Sequence, residues 1–171
     1  MVTTILFGLY SAGVAIVLTL IQYFTGIDRT STANWFAWLN VPFLVLFIWM
    51  AMKERKQEDY GGTISYGQCI GTGTLVGLFA GIVIAIFMYV YFTAINPSLV
   101  DFMVQKQQAA MQAQQMDPEK MRNAMSMMKS MFIPFGVGGA LLGSVIFALI
   151  ISLIVGALVK TNEGESGVKA V

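Results

Sequence analysis

The side chains best suited to chemistry in this sequence are few, and they lie in one stretch. Glu54, Glu58 and Asp59 are carboxylates set among Lys53, Arg55 and Lys56. Paired carboxylates do general acid–base work when a pocket shifts their pKa values apart. Interleaved with cations, these three read as a solvated charged turn. Ser65 and Tyr66 follow closely, so a lipid-modifying site at a membrane surface would have to join them to Glu54, Glu58 or Asp59. Cys69 is the sole cysteine and histidine is absent. A thiol nucleophile needs a base or cation to activate it, and His is the commonest general base and metal ligand. There is no phosphate loop, zinc spacing or nucleophile elbow. The expectation is a chain that is not an enzyme and takes no cofactor and no metal.

Methionine is the second chemical candidate. Met121, Met125 and Met128, with Phe132, follow helical spacing, and Met111, Met116, Met127 and Met131 add to the density. Thioethers are soft ligands that suit Cu(I). They are also flexible apolar groups that fill irregular contacts. Without His or Cys beside them, the spacing predicts a membrane-facing helix or a partner-docking surface before copper.

The elements that position these residues are apolar. Hydrophobic residues make up 57% of the 171 and charged residues 11%, against roughly 25% charged in globular chains. No Asp, Glu, Lys or Arg occurs in 1–27, 30–52, 60–100 or 130–159. About 20 apolar residues cross a hydrocarbon layer about 30 Å thick. The prediction is an all-α, polytopic four-helix transmembrane bundle, a single domain over 1–160. The spans fall at about 5–24, 35–52, 70–95 and 133–159. The start lacks the basic region of a cleaved signal, so the first span reads as retained.

An extramembrane helical excursion, 98–132, separates the third and fourth spans. Ser98 and Asp101 suggest a helix start, and Asp117-Pro118 a stronger one, so two helices broken near Met116 are expected. Pro134, Gly136, Gly138 and Gly139 predict an irregular beginning to the last span, and 161–171 reads as a polar tail.

Two small-residue stripes stand out. Gly73, Gly77, Gly81 and Ala85 recur every four residues, as do Ala140, Ser144, Ala148, Ser152 and Gly156. Small residues on one helix face let backbones approach closely in lipid. The stripes fit packing of the third span on the fourth, or an oligomer or partner interface. Gln22, Asn40, Thr72, Thr74, Ser144 and Ser152 are uncharged polar residues within the spans. Pumps usually carry ionisable groups at that depth, so a passive pore is the transport reading left open.

Short basic loops stay cytoplasmic. Lys53, Arg55 and Lys56 therefore predict cytoplasmic N- and C-termini, with 98–132 periplasmic. A net charge of +1 gives no basis for binding nucleic acid.

Gly61-Gly62, Ser65-Tyr66-Gly67-Gln68 and Gly71-Thr72-Gly73 form a distinctive run. With Tyr89, Tyr91, Asn96-Pro97, the acidic-Met outer segment and a Gly-rich last span, it resembles the bacterial membrane family called domain of unknown function forty-one ninety-nine. Cys69-Ile70 departs from the Ala-aromatic pair expected there. The resemblance covers nearly the whole chain. It implies a multi-pass protein of the bacterial inner (cytoplasmic) membrane, with no agreed activity or site residues. It also implies a possible neighbour, a membrane glycosyltransferase acting on polyprenyl phosphates. The leading expectation is a non-catalytic accessory or scaffold subunit that contacts lipid and a membrane-protein partner. A small passive channel or transporter, as a homo-oligomer, is the alternative, and a lipid-modifying enzyme the second.

Overall fold

The computed structural model describes residues 1–30, 33–113 and 117–161, and they are helical with no strand among them. Helix α1 (Val2–Thr25) ends where Gly26 turns left-handed at φ 70° and donates its N–H to Tyr23 O at 3.2 Å. A short 3-10 turn, Ile27–Arg29, leads towards α2 (Ala33–Trp38) and α3 (Asn40–Glu58). The stretch expected as one span over 35–52 is therefore broken at Leu39. Pro42 is the cause: it has no N–H for the Trp38 carbonyl four residues back, and its ring crowds that turn.

Helix α4 (Tyr66–Val90) starts earlier than expected. Ser65 Oγ accepts the Gln68 N–H while Gln68 Oε1 accepts the Ser65 N–H, a reciprocal capping box. Gly61 and Gly62, both at positive φ, make the turn before it. A π-turn, Tyr91–Ile95, ends the run. Helix α5 (Pro97–Ala113) follows directly. Ser98 is not its cap; it lies inside the helix and donates its hydroxyl to Asn96 Oδ1 at 3.1 Å.

Helix α6 is continuous over Pro118–Val159. Asp117 caps it, accepting the N–H groups of Glu119 and Lys120, with Pro118 in the first turn. The expected break near Met116 falls on 114–116, outside the described residues, as does the tail beyond 161. The irregular beginning expected at Pro134 does not interrupt the helix, which is continuous through it. The Phe92 ring packs on either side of the proline. Phe132 meets the Phe92 ring edge-on at 5.4 Å, and the same ring covers Gly136.

Three helical runs are long and apolar enough to cross a membrane: Val2–Thr25, Tyr66–Ile95 and Pro118–Val159. The chain is thus membrane-embedded. The interhelical contacts order the bundle. The Met1 ammonium lies 3.9 Å from Asp59, and Lys56 Nζ donates to Val159 O at 3.2 Å. These place the start of α1, the end of α3 and the end of α6 together. At the other end, Asp28 meets Asn96 and Arg29 meets Ser98. Helix α3 therefore returns along the path of α1, and α6 along that of α4. The core lies between them, with Ile48, Met52, Val76 and Ala148 fully buried.

Candidate functional site

The small-residue stripes meet face to face. A Cβ on Gly73 would collide with Ser152 Oγ, one on Gly77 with the Ala148 Cβ, and one on Gly81 with Ser144 Oγ. Gly156 closes on Cys69 Cβ, where an added Cβ would sit at 2.9 Å. As the α4 number rises the α6 number falls, so the pair is antiparallel. Ser144 seals it by donating to Gly77 O at 3.2 Å. Ala85 is buried and Ala140 half-buried.

The same register continues past the spans. Phe92 packs on Phe132, and Lys129 Nζ bonds Asp101 Oδ1 at 2.8 Å. Helix α5 and the first part of α6 thus form a hairpin that extends the α4–α6 pair. Met121, Met125, Met128 and Phe132 are half-buried along it. The exposed apolar face lies beside them: Met127 is 62% exposed and Phe135 69%. With Met128, Met131, Phe132 and Phe92 they line an apolar groove of about 620 Å³.

A second cavity, about 330 Å³, lies among α1, α3, α4 and α5. Its polar end is built around the π-turn. The wider i→i+5 winding, closed by Asn96 N–H to Tyr91 O at 2.7 Å, swings Asn96 round towards Tyr91. Asn96 Nδ2 then donates to Tyr91 Oη at 3.1 Å and to Asp28 Oδ2 at 2.6 Å. All three residues are buried, Asp28 at 8% exposure. Gln22 and Asn40 line the same end, and Asn40 Oδ1 is buried without a hydrogen-bond donor among the described residues.

The carboxylates near the start of α4 are differently disposed. Arg55 bonds Asp59 Oδ2 at 2.7 Å, Tyr60 Oη at 2.9 Å and Thr72 Oγ1 at 3.0 Å. That guanidinium holds the Asp59 carboxyl below the usual carboxylate range. Ser65 serves as the cap of α4, and Tyr66 donates its hydroxyl to Leu153 O at 3.0 Å. No hydrogen bond among the described residues joins either to Glu54, Glu58 or Asp59. No group of acidic residues, His and Cys able to hold a metal occurs among the described residues.

These features fall within one family boundary. A family model described as Protein of unknown function (DUF4199) matches residues 6–161. The chain belongs to the DUF4199 family. No curated protein and no solved structure matches it. The DUF4199 match takes in both the Asp28–Asn96–Tyr91 cluster and the α5–α6 hairpin.

Sequence reasoning passed over Asp28 and Tyr91 as site residues. They sit 63 positions apart, in a link and at a helix end, and no local pattern connects them. Ser65-x-x-Gln68 did carry a readable signal, that of the capping box.

Proposed function

We propose that the protein is a non-catalytic membrane subunit that crosses the bilayer four times and holds a membrane-protein partner at the base of the α5–α6 hairpin. The partner segment is an apolar helix. Helix α3 supplies the fourth crossing. Its apolar part, 40–52, rises about 20 Å at about 1.5 Å per residue, and α2 ahead of it brings the apolar run 33–52 to about 30 Å, the hydrocarbon thickness. Its return along α1 supports that reading. Lys53, Arg55 and Lys56 favour cytoplasmic termini and a hairpin on the opposite side.

The observation that carries the reading is the Met127–Phe135 groove. Helix α6 has 42 residues, about 63 Å of helix, twice the thickness of the hydrocarbon. With its C-terminal half inside the bilayer, the groove falls where α6 leaves the membrane. Methionines there adapt to a partner's shape, and an exposed apolar patch of this kind marks an interaction surface. Purification from native membranes in mild detergent tests it. A stoichiometric membrane protein should accompany the chain and be lost from Met127→Lys/Met131→Lys. Recovery of the bare chain from native membranes contradicts the proposal.

A further inference from the structure

The cavity beneath the Asp28 cluster shares only Phe92 with the hairpin groove, and its chemistry is specific. Asp28 is buried, and among the described residues no cation lies within ion-pairing distance of it. Its neighbour Arg29 is engaged elsewhere, donating to Ser98 Oγ at 2.7 Å and lying 5.9 Å from the Phe102 ring centre. A buried carboxylate without a counter-charge is costly. Asn40, lining the same cavity, has a buried Oδ1 without a donor among the described residues. Asn40 Oδ1 lacks a donor, and the Asp28 carboxylate lacks a counter-charge among the described residues. An occupant that is both a donor and a cation would meet both needs.

Hard cations need six or more oxygens converging on one point, and here the polar residues share the lining with the rings of Phe36, Phe87, Phe92 and Tyr91. Aromatic faces favour organic ammonium groups. The cavity is also elongated. Along α1 it runs from Gln22 back to Ala15, about 10 Å at 1.5 Å per residue, with Ile84 opposite. One end is acidic and polar, and the other is aliphatic.

We propose that this cavity binds the ammonium head of an amphiphile, with the cation on Asp28 and Asn40 and the alkyl part along Ala15 and Ile84. Two sources share the ammonium: a primary-amine phospholipid drawn from the bilayer, whose phosphodiester lies between that head and its acyl chains, and a free alkylamine, whose chain follows the ammonium directly. Ligand binding here requires no partner protein, so the proposal stands or falls apart from the docking role.

The test uses the full chain in detergent, titrated with octylammonium or 1-octanol and followed by thermal shift. Octylammonium should stabilise the protein saturably and octanol should not. Asp28→Asn should weaken octylammonium binding about tenfold or more, the effect of one lost charge-assisted bond. Ile84→Trp fills the aliphatic arm, leaves Asp28 in place and should also remove binding, which covers the case in which Asp28→Asn fails to fold. In nanodiscs of equal phosphatidylethanolamine and phosphatidylglycerol, native mass spectrometry separates the sources. Selective retention of phosphatidylethanolamine by the native chain, lost in Ile84→Trp, assigns the lipid. Octylammonium binding without that retention assigns a free amine. Equal responses to octylammonium and octanol, or octylammonium binding unchanged in Ile84→Trp, overturn the proposal.

Discussion

Asn96 Nδ2 lies 2.6 Å from Asp28 Oδ2, a bond that closes 68 residues of sequence. It ties the link after α1 to the junction of α4 and α5, and it supplies a donor to the buried Asp28 carboxylate. Asn96→Ala removes that donor. The expected loss is about 1–3 kcal/mol of unfolding free energy, read by denaturant titration in mixed micelles. Ser98→Ala, at an exposed neighbour, should cost less than about 1 kcal/mol. Equal effects would remove the special role of the Asp28–Asn96 bond.

The antiparallel register of α4 and α6 predicts which glycines tolerate a methyl group. Gly77→Ala drives a Cβ into Ala148 and the Ser144 backbone, which cannot swing aside. A loss of about 1–3 kcal/mol is expected from overpacking. Gly71 and Gly143 have open space at the Cβ position, so Gly71→Ala and Gly143→Ala should be neutral or stabilising by up to about 1 kcal/mol. Comparable losses at all three positions would contradict the register.

Much of this arrangement was legible in the residues. Charge-free stretches located the apolar helices. The four-residue stripes named the side chains that meet across α4 and α6, and two matching stripes favoured internal packing over an external interface. Asp117-Pro118 marked the start of α6 because a cap and a first-turn proline act locally. What stayed hidden depends on tertiary contact. Pro134 looked like a breaker, but Phe92 braces the helix through Phe132 and Gly136. Pro42 acted as its chemistry suggests, with the break at Leu39, three residues before it. The Asp28 cluster needed a π-turn, which apolar periodicity does not announce. Of the methionine stripe, Met128 and Phe132 line the groove, while Met121 and Met125 are half-buried, and the more exposed Met127 and Phe135 lie beside them.

The capping box at Ser65 is separable from any catalytic reading of that serine. Ser65→Ala should cost about 1 kcal/mol of stability. Ser65→Asp, which keeps an acceptor for the Gln68 N–H, should recover most of it in thermal unfolding. Failure of the aspartate to rescue would mean that Ser65 does something other than cap α4.

The Arg55–Asp59 pair predicts a narrow acid sensitivity. The Asp59 carboxyl is held low chiefly by its hydrogen bond to Arg55. A depressed folded-state pKa contributes stability that is complete above the ordinary carboxylate range and is lost as pH falls through the lowered value. Unfolding should therefore be insensitive to Asp59→Asn substitution in its pH slope near neutrality. Below the carboxylate range the native chain should lose stability more steeply than Asp59→Asn does. Parallel acid profiles for the two proteins would show that the pair carries no linkage.

The docking role is tested most directly by site-specific photocrosslinking in native membranes. A photoreactive residue replaces Met131 in the groove or Ile154 on the exposed face of α6 nearer its C-terminus. The account predicts one discrete protein adduct from position 131 that disappears when Met127→Lys is added, and only diffuse lipid labelling from position 154. Lipid labelling alone at both positions, or the same adduct from both, would contradict it.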